Sequence, residues 1–260
     1  MDKKGRTLSG VLMVLLLAIL LVASIISASM LIPANDVARE NSKASENSPV
    51  ITETESGEWE LERVDFIHYV KPENPGSGSK PTSCYKLMGV KWNTLPVNYI
   101  INPNNTQGLS ESFVTSTIST SAETWDSATS SEILNDAYTV NYTAQYGIQN
   151  FQNAIDFGDY PNDGVIAVTS VWYTRVGKQI VEFDMRFNTR FDWGDASVNS
   201  SVMDLENIAV HELGHGVGLA DIYSTACGYV TMYGYSTEGE TSKRTLEQPD
   251  ITGLQRMYGA

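Results

Sequence analysis

Basic charge is scarce in this chain: 17 Lys and Arg stand against 31 Asp and Glu, a formal net charge of −14 over 260 residues. A nucleic-acid-binding surface needs a basic face to neutralise phosphates, so that class of partner is excluded. Cysteine is scarcer still. Two residues, Cys84 and Cys227, cannot build a disulfide-dense scaffold or a cysteine-rich zinc ribbon. Histidine occurs three times, so imidazole chemistry has few carriers. Charged residues are only 18% against 42% hydrophobic, which is not the composition of a disordered chain. The length allows one large domain or two small ones.

Charge is absent altogether from Thr7 to Asn35, directly after Lys3, Lys4 and Arg6. The centre of this stretch, Val11 to Val22, reads VLMVLLLAILLV. Residues 1–34 therefore read as a signal peptide, with Ser27, Ala28 and Ser29 as small residues for cleavage, or as an uncleaved hydrophobic signal-anchor helix. The basic residues stay inside, so the rest of the chain is expected outside the cell, secreted or at its surface, attached to the membrane if the segment is kept. Residues 35–83 read as a polar, Ser/Glu- and then Pro/Gly/Ser-rich tether, with one strand or docking segment at 59–70. The main domain is expected over 84–260.

Within it, Leu95 to Ile101 reads as a strand and Ser110 as the cap of a helix carrying Val114, Ile118, Ala122 and Trp125 on one face. Tyr138 to Tyr146 alternates like a strand, and Val165 to Tyr173 reads as a buried one. Ile180 to Asn188 has strict period two, which predicts a wet face of Glu182, Asp184, Arg186 and Asn188. Met203 to Gly218 reads as a helix, and a last helix carries Ile251, Leu254 and Tyr258. The ordering predicts an α+β fold with a twisted, mixed sheet.

The chemistry concentrates in residues 211–221, HELGHGVGLAD. His211 and His215 are four residues apart on one helix, so they share a face and can hold one Zn²⁺. Glu212 then stands beside the metal, where a general base for a zinc-activated water belongs. Gly218 can end the helix in a left-handed conformation, which lets the chain return Asp221 as a third ligand.

This motif, followed by the methionine turn VTMYGY, resembles the metzincin peptidases, and the surroundings resemble their matrixin branch, closest to its prokaryotic members. The resemblance covers roughly residues 84–260. It includes LPVNYIIN, Trp125, EFDMRFNTRFDW and the closing PDITGLQRMYG. It implies a metzincin-like catalytic domain with an active-site helix and a C-terminal helix, and one catalytic zinc on His211, His215 and Asp221. It also implies Glu212 as base and Met232 as a hydrophobic floor that is not a ligand. Several positions depart from the family. Asp221 replaces the histidine of animal matrixins. The cysteine switch PRCGxxD is absent. Phe157-Gly158-Asp159 has no histidine for a second, structural zinc, and Tyr235 falls one position early in the specificity wall. Calcium sites are left open.

Cys84 and Cys227 are expected to form a disulfide outside the cell, the alternative being Cys84 as an inhibitory thiolate on the zinc. His68 is expected as a strand residue rather than a ligand. Tyr223, Tyr233 and Tyr235 are expected to be structural, with a contact to a tetrahedral intermediate as the alternative. Asn104, Asn141 and Asn199 each open a glycosylation sequon. The reading is an extracellular or membrane-anchored zinc endopeptidase, a monomer, acting on protein or peptide substrates. An extended peptide would pair with an exposed edge strand at Val165 to Tyr173. The alternatives are a non-catalytic zinc-stabilised protein-binding module and a hydrolase of non-peptide amides.

Overall fold

The structure is a computed structural model that describes residues 60–73 and 83–260. The N-terminal hydrophobic helix and most of the polar tether lie outside those residues. No described helix is long and apolar enough to cross a membrane.

The strands are β1 (Leu61–Val70), β2 (Lys86–Leu87), β3 (Tyr99–Ile101), β4 (Thr139–Val140), β5 (Asn153–Gly158), β6 (Val165–Thr174), β7 (Ile180–Asn188), β8 (Trp193–Gly194), β9 (Met203–Asp204), β10 (Leu219–Ala220) and β11 (Tyr235–Ser236). The α-helices are α1 (Glu111–Asp126), α2 (Leu205–Gly216) and α3 (Gln248–Tyr258). Seven strands form one sheet in the order β11-β1-β6-β7-β5-β3-β4. Pairs β4–β3, β3–β5 and β5–β7 are parallel, β7–β6 and β6–β1 antiparallel, and β1–β11 parallel. The class is therefore α+β with a mixed sheet, as the ordering of elements predicts.

Helix α1 starts where its sequence says. Ser110 caps it by accepting from the Phe113 amide at 3.2 Å, and Val114, Ile118, Ala122 and Trp125 are all buried. Val114 and Ile118 each contribute roughly 1.5–3 kcal/mol by leaving water. Trp125 also donates its indole N–H to the Val210 carbonyl (2.8 Å), and Trp92 donates to the Gly216 carbonyl (2.8 Å). Two tryptophans thus pin the backbone of α2, the helix that carries both motif histidines.

Three expectations change. The Tyr138 to Tyr146 strand stops at Val140, because the Asn141 side chain accepts from the Thr143 amide at 3.0 Å and turns the chain. The wet face of β7 is dry: Glu182, Asp184 and Asn188 are buried. The loop before β5 folds over the first two, so that Glu182 accepts from the Asn150 and Phe151 amides and Asp184 from that of Gly147, with the Ala154 amide of β5 beside it; Asn188 accepts from the Tyr160 amide and donates to the Val165 carbonyl. Period two reports alternation, but it cannot report a loop that supplies backbone donors to the second face. Lastly, β6 is not an exposed edge. It lies between β7 and β1, and Leu61–Val70, read from sequence as a segment ahead of the domain, pairs with it from Leu61–Thr174 to Tyr69–Val165.

Candidate metal centre and catalytic site

Helix α2 is fixed at both ends. Asp204 caps it by accepting from the Asn207 amide (2.8 Å) and is held by the Arg244 guanidinium, whose Nε lies 2.8 Å from Oδ1. At the other end Gly218 takes φ +106°, where an added Cβ would stand 2.7 Å from the Val90 carbonyl oxygen. Only glycine fits this turn, and the turn sends Leu219–Asp221 back along the helix.

The return brings three donors together. His211 Nε2 lies 3.2 Å from His215 Nε2, and Asp221 Oδ1 lies 3.2 and 3.4 Å from the two nitrogens. Tetrahedral zinc with bonds of about 2.0–2.2 Å spaces its ligands by about 3.3–3.5 Å, so the triangle has the right edge. Protonation makes the same point. His211 Nδ1 is 2.7 Å from the Thr231 carbonyl and His215 Nδ1 is 2.9 Å from that of Leu219. A carbonyl only accepts, so each Nδ1 carries the proton and a neutral ring presents a bare Nε2. Asp221 Oδ1 is buried and accepts no hydrogen bond, while Tyr223 donates to Oδ2 at 3.0 Å. Three electron-rich atoms thus face one another in a buried space, an arrangement that suits a cation at their centre.

Glu212 is buried beside the triangle. The Thr169 hydroxyl of β6 donates to Oε2 at 2.5 Å, whereas Oε1 accepts no hydrogen bond. Burial pushes this carboxyl up to about 7, only partly offset by His215 and Thr169.

Met232 lies beneath α2. A Cβ at Gly214 would meet its Sδ at 2.3 Å and the Trp125 ring at 2.7 Å, so the fourth residue of HELGH must be glycine for the methionine turn to pack. That turn does more than fill space, because its Thr231 carbonyl orients His211. The turn is held in its own right by Asp250 of α3, which accepts from the Thr231 (2.9 Å), Met232 (3.2 Å) and Glu247 (3.1 Å) amides. Sequence reasoning missed Asp250. Its signal was its place at the third residue of a helix opened by Glu247, where a carboxylate caps.

Cys84 and Cys227 are joined as a disulfide, which ties β2 to the turn just after Asp221 and removes Cys84 as a candidate thiolate. Tyr233 and Tyr235 form an edge-to-face aromatic group with Tyr223, at ring separations of 5.2–5.6 Å.

His68 is the residue whose importance the sequence hid. It is a strand residue, as expected, but its ring is wholly buried against the centre, 4.0 Å from the His211 ring and nearly perpendicular to it. Its Nδ1 lies 3.4 Å from Glu212 Oε1, and neither nitrogen makes a hydrogen bond among the described residues. The available signal was Val64, Phe66 and His68 at alternate positions, which puts the imidazole on the strand's apolar face.

Comparison with known proteins agrees with this geometry. Residues 91–259 match the family model described as Matrixin. Matrix metalloproteinase-25 of Mus musculus is 27% identical over 177 residues, 67% of this chain and 28% of that protein. Neutrophil collagenase of Homo sapiens is 31% identical over 170 residues, 65% of this chain and 33% of that protein. The chain therefore spans about a third or less of the length of these relatives. With more than half of its residues inside the family match, the chain belongs to the matrixins, a family of zinc metalloendopeptidases.

Proposed function

We propose that the chain is a zinc-dependent endopeptidase acting outside the cell, either secreted or held at the membrane through residues 1–34. The observation that carries this reading is the triangle of His211, His215 and Asp221, three bare electron pairs at zinc-ligand spacing, with Glu212 beside it. The location rests on Lys3, Lys4 and Arg6 ahead of the long uncharged apolar run.

The residues divide the work. His211 and His215, each oriented by a backbone carbonyl, and Asp221, oriented by Tyr223, would hold the metal. Zinc, when bound, supplies Lewis-acid polarisation of the scissile carbonyl and stabilises the negative charge that develops there. Glu212 keeps Oε2 fixed on Thr169 and offers Oε1 to a water. It takes the proton from that water during attack on the carbonyl carbon and returns it to the leaving amine nitrogen. A buried carboxyl with its pKa drawn toward neutrality suits both halves of that shuttle. A purely structural metal site would have no use for Glu212, which disfavours the non-catalytic binding module.

The test is hydrolysis of an unfolded protein by the zinc-loaded chain beside its Glu212→Ala variant. Cleavage by the parent that is lost in the variant, with one zinc retained in both, is the expected result. Equal cleavage by both would refute Glu212 as the base.

A further inference from the structure

A peptidase must admit a peptide, yet in this structure none can reach the centre. His211, Glu212 and His215 are 0% exposed and Asp221 is 6% exposed. The cover is β1. Its inner-face residues are Val64, Phe66 and His68. Phe66 stacks flat on His215 with ring centroids 4.1 Å apart, and His68 stands edge-on against His211.

The way β1 is held is informative. On one side it runs antiparallel to β6, from Leu61–Thr174 to Tyr69–Val165. On the other it runs parallel to β11, pairing Tyr69 with Tyr235 and Val70 with Ser236. Without β1, β6 and β11 would be facing edges across the metal triangle, a slot one extended strand wide. Edges of this kind take up peptides by strand addition. Moreover β1 lies outside the family match, which begins at residue 91. The strand is an addition to the matrixin unit that completes its sheet over its active centre. Polar contacts keep it there: Arg63 donates to Ser170 Oγ (3.0 Å), the Ser170 hydroxyl donates to Asp65 (2.7 Å), and Arg175 donates to Glu62 (2.8 Å).

Resting on the peptidase reading above, we propose that Leu61–Val70 is a resident blocking strand. It lies in the peptide groove between β6 and β11 as an extended substrate would, and its His68 imidazole fills the space beside Glu212 and the metal triangle that the attacking water needs. The orphaned His68 nitrogens, buried among His211 and Glu212 with no hydrogen bond, are what a plug at a reactive centre looks like. An ordinary core position would have supplied partners. Activity then requires β1 to leave the groove, and the groove's ligand is an extended peptide that replaces it strand for strand.

The experiment uses the full zinc-loaded chain, its Ile67→Pro variant and its His68→Ala variant. Proline breaks the ladder at the strand centre, whereas His68→Ala keeps the strand and removes only the plug. Turnover of an unfolded protein is measured, together with hydrogen exchange of the Leu61–Val70 amides with and without a peptide hydroxamate, an extended peptide ending in a metal-chelating group. Turnover should rise about tenfold or more in Ile67→Pro, in proportion to the open fraction. It should rise less in His68→Ala. In the parent, hydroxamate binding should strip protection from the β1 amides and leave those of β7 protected.

Hydroxamate bound with β1 still protected, or parent turnover equal to that of both variants, overturns the blocking strand while leaving the peptidase reading intact. Displacement of β1 with no turnover in any protein refutes the peptidase reading and leaves the blocking strand standing. Failure of all three proteins to bind the hydroxamate overturns the groove itself.

Discussion

Among the described residues, two groups bring three metal-ligand side chains within 4.8 Å of one another outside β1: His211, His215 and Asp221, and Glu123, Asp126 and Asp136. They differ in what surrounds them. In the first group the backbone carbonyls of Thr231 and Leu219 take up the two Nδ1 protons, and Tyr223 takes the outer oxygen of Asp221, so each residue is left with one bare atom aimed inward. In the second, all three groups are acids, and two of them are exposed. Asp126 Oδ1 is already spent on the Ile133 and Leu134 amides at 2.7 and 3.2 Å. Burial pushes Asp126 up to about 6, with the Glu132 and Asp136 carboxylates adding to it and the Ile133 and Leu134 amides opposing it. Proximity of ligand types is common. What distinguishes the first group is a rigid outer shell that leaves lone pairs with nothing else to bind.

Breaking the triangle should have the largest effect. His215→Ala or Asp221→Ala removes a donor outright and should weaken zinc affinity by about 100-fold or more, since outer-shell losses alone reach 10–100-fold. Metal stoichiometry after dialysis against a zinc buffer measures it. Asp126→Asn in the acidic group should leave the chain at one zinc, and loss of that zinc would abolish the distinction drawn here. Glu212→Gln separates holding from reacting. It should keep the metal and lower turnover by about 10²–10⁴-fold, the usual share of a general base.

The outer shell can be tested without touching a donor. Asp250 reaches the centre through the Thr231 amide and the carbonyl that orients His211. Asp250→Asn turns an amide NH₂ toward a backbone N–H that now has an acceptor. We expect a loss of about 1–3 kcal/mol in stability from the unsatisfied donor and zinc affinity weaker by about tenfold. Denaturant titration and competition with a chelator read the two effects separately. A stability loss with unchanged affinity would show that the methionine turn does not orient His211.

Much of this centre was legible in the sequence because its geometry is local. The i, i+4 histidines, the glycine that must turn and the acid three residues later all lie on eleven consecutive residues, and helix periodicity is enough to superimpose them. The parts that were not legible come from far along the chain. Asp250 acts through the backbone of another turn, and Thr169 reaches Glu212 from a strand 43 residues earlier. His68 was invisible for a different reason. A Pro/Gly/Ser-rich stretch follows it, which reads as a boundary, yet β1 crosses that boundary in space and joins the sheet. The fold class was readable from the order of strands and helices. The dry second face of β7 was not, since the loop that covers it carries no hydrophobic pattern.

The smallest expected effect concerns the acidic group and has a definite sign. A carboxyl whose folded pKa is raised binds its proton more tightly folded than unfolded. Its contribution to stability is present in full below the ordinary carboxylate range, near 4. It is lost as the pH climbs through the folded value, which for Asp126 is about 6. Glu123, raised by burial and by Asp136, follows the same direction. Asp136→Asn removes one of the charges responsible and leaves an amide able to donate to Glu123. The melting temperature should therefore rise by about 1 °C at pH 7.5, a shift corresponding to a few tenths of a kcal/mol in a domain of this size. At pH 4.5, below the folded value of Asp126, the gain should shrink toward zero. Thermal unfolding of both proteins at the two pH values decides it. An equal shift at both would mean that the acids are not strained by one another, and that the contrast between the two groups lies in burial alone.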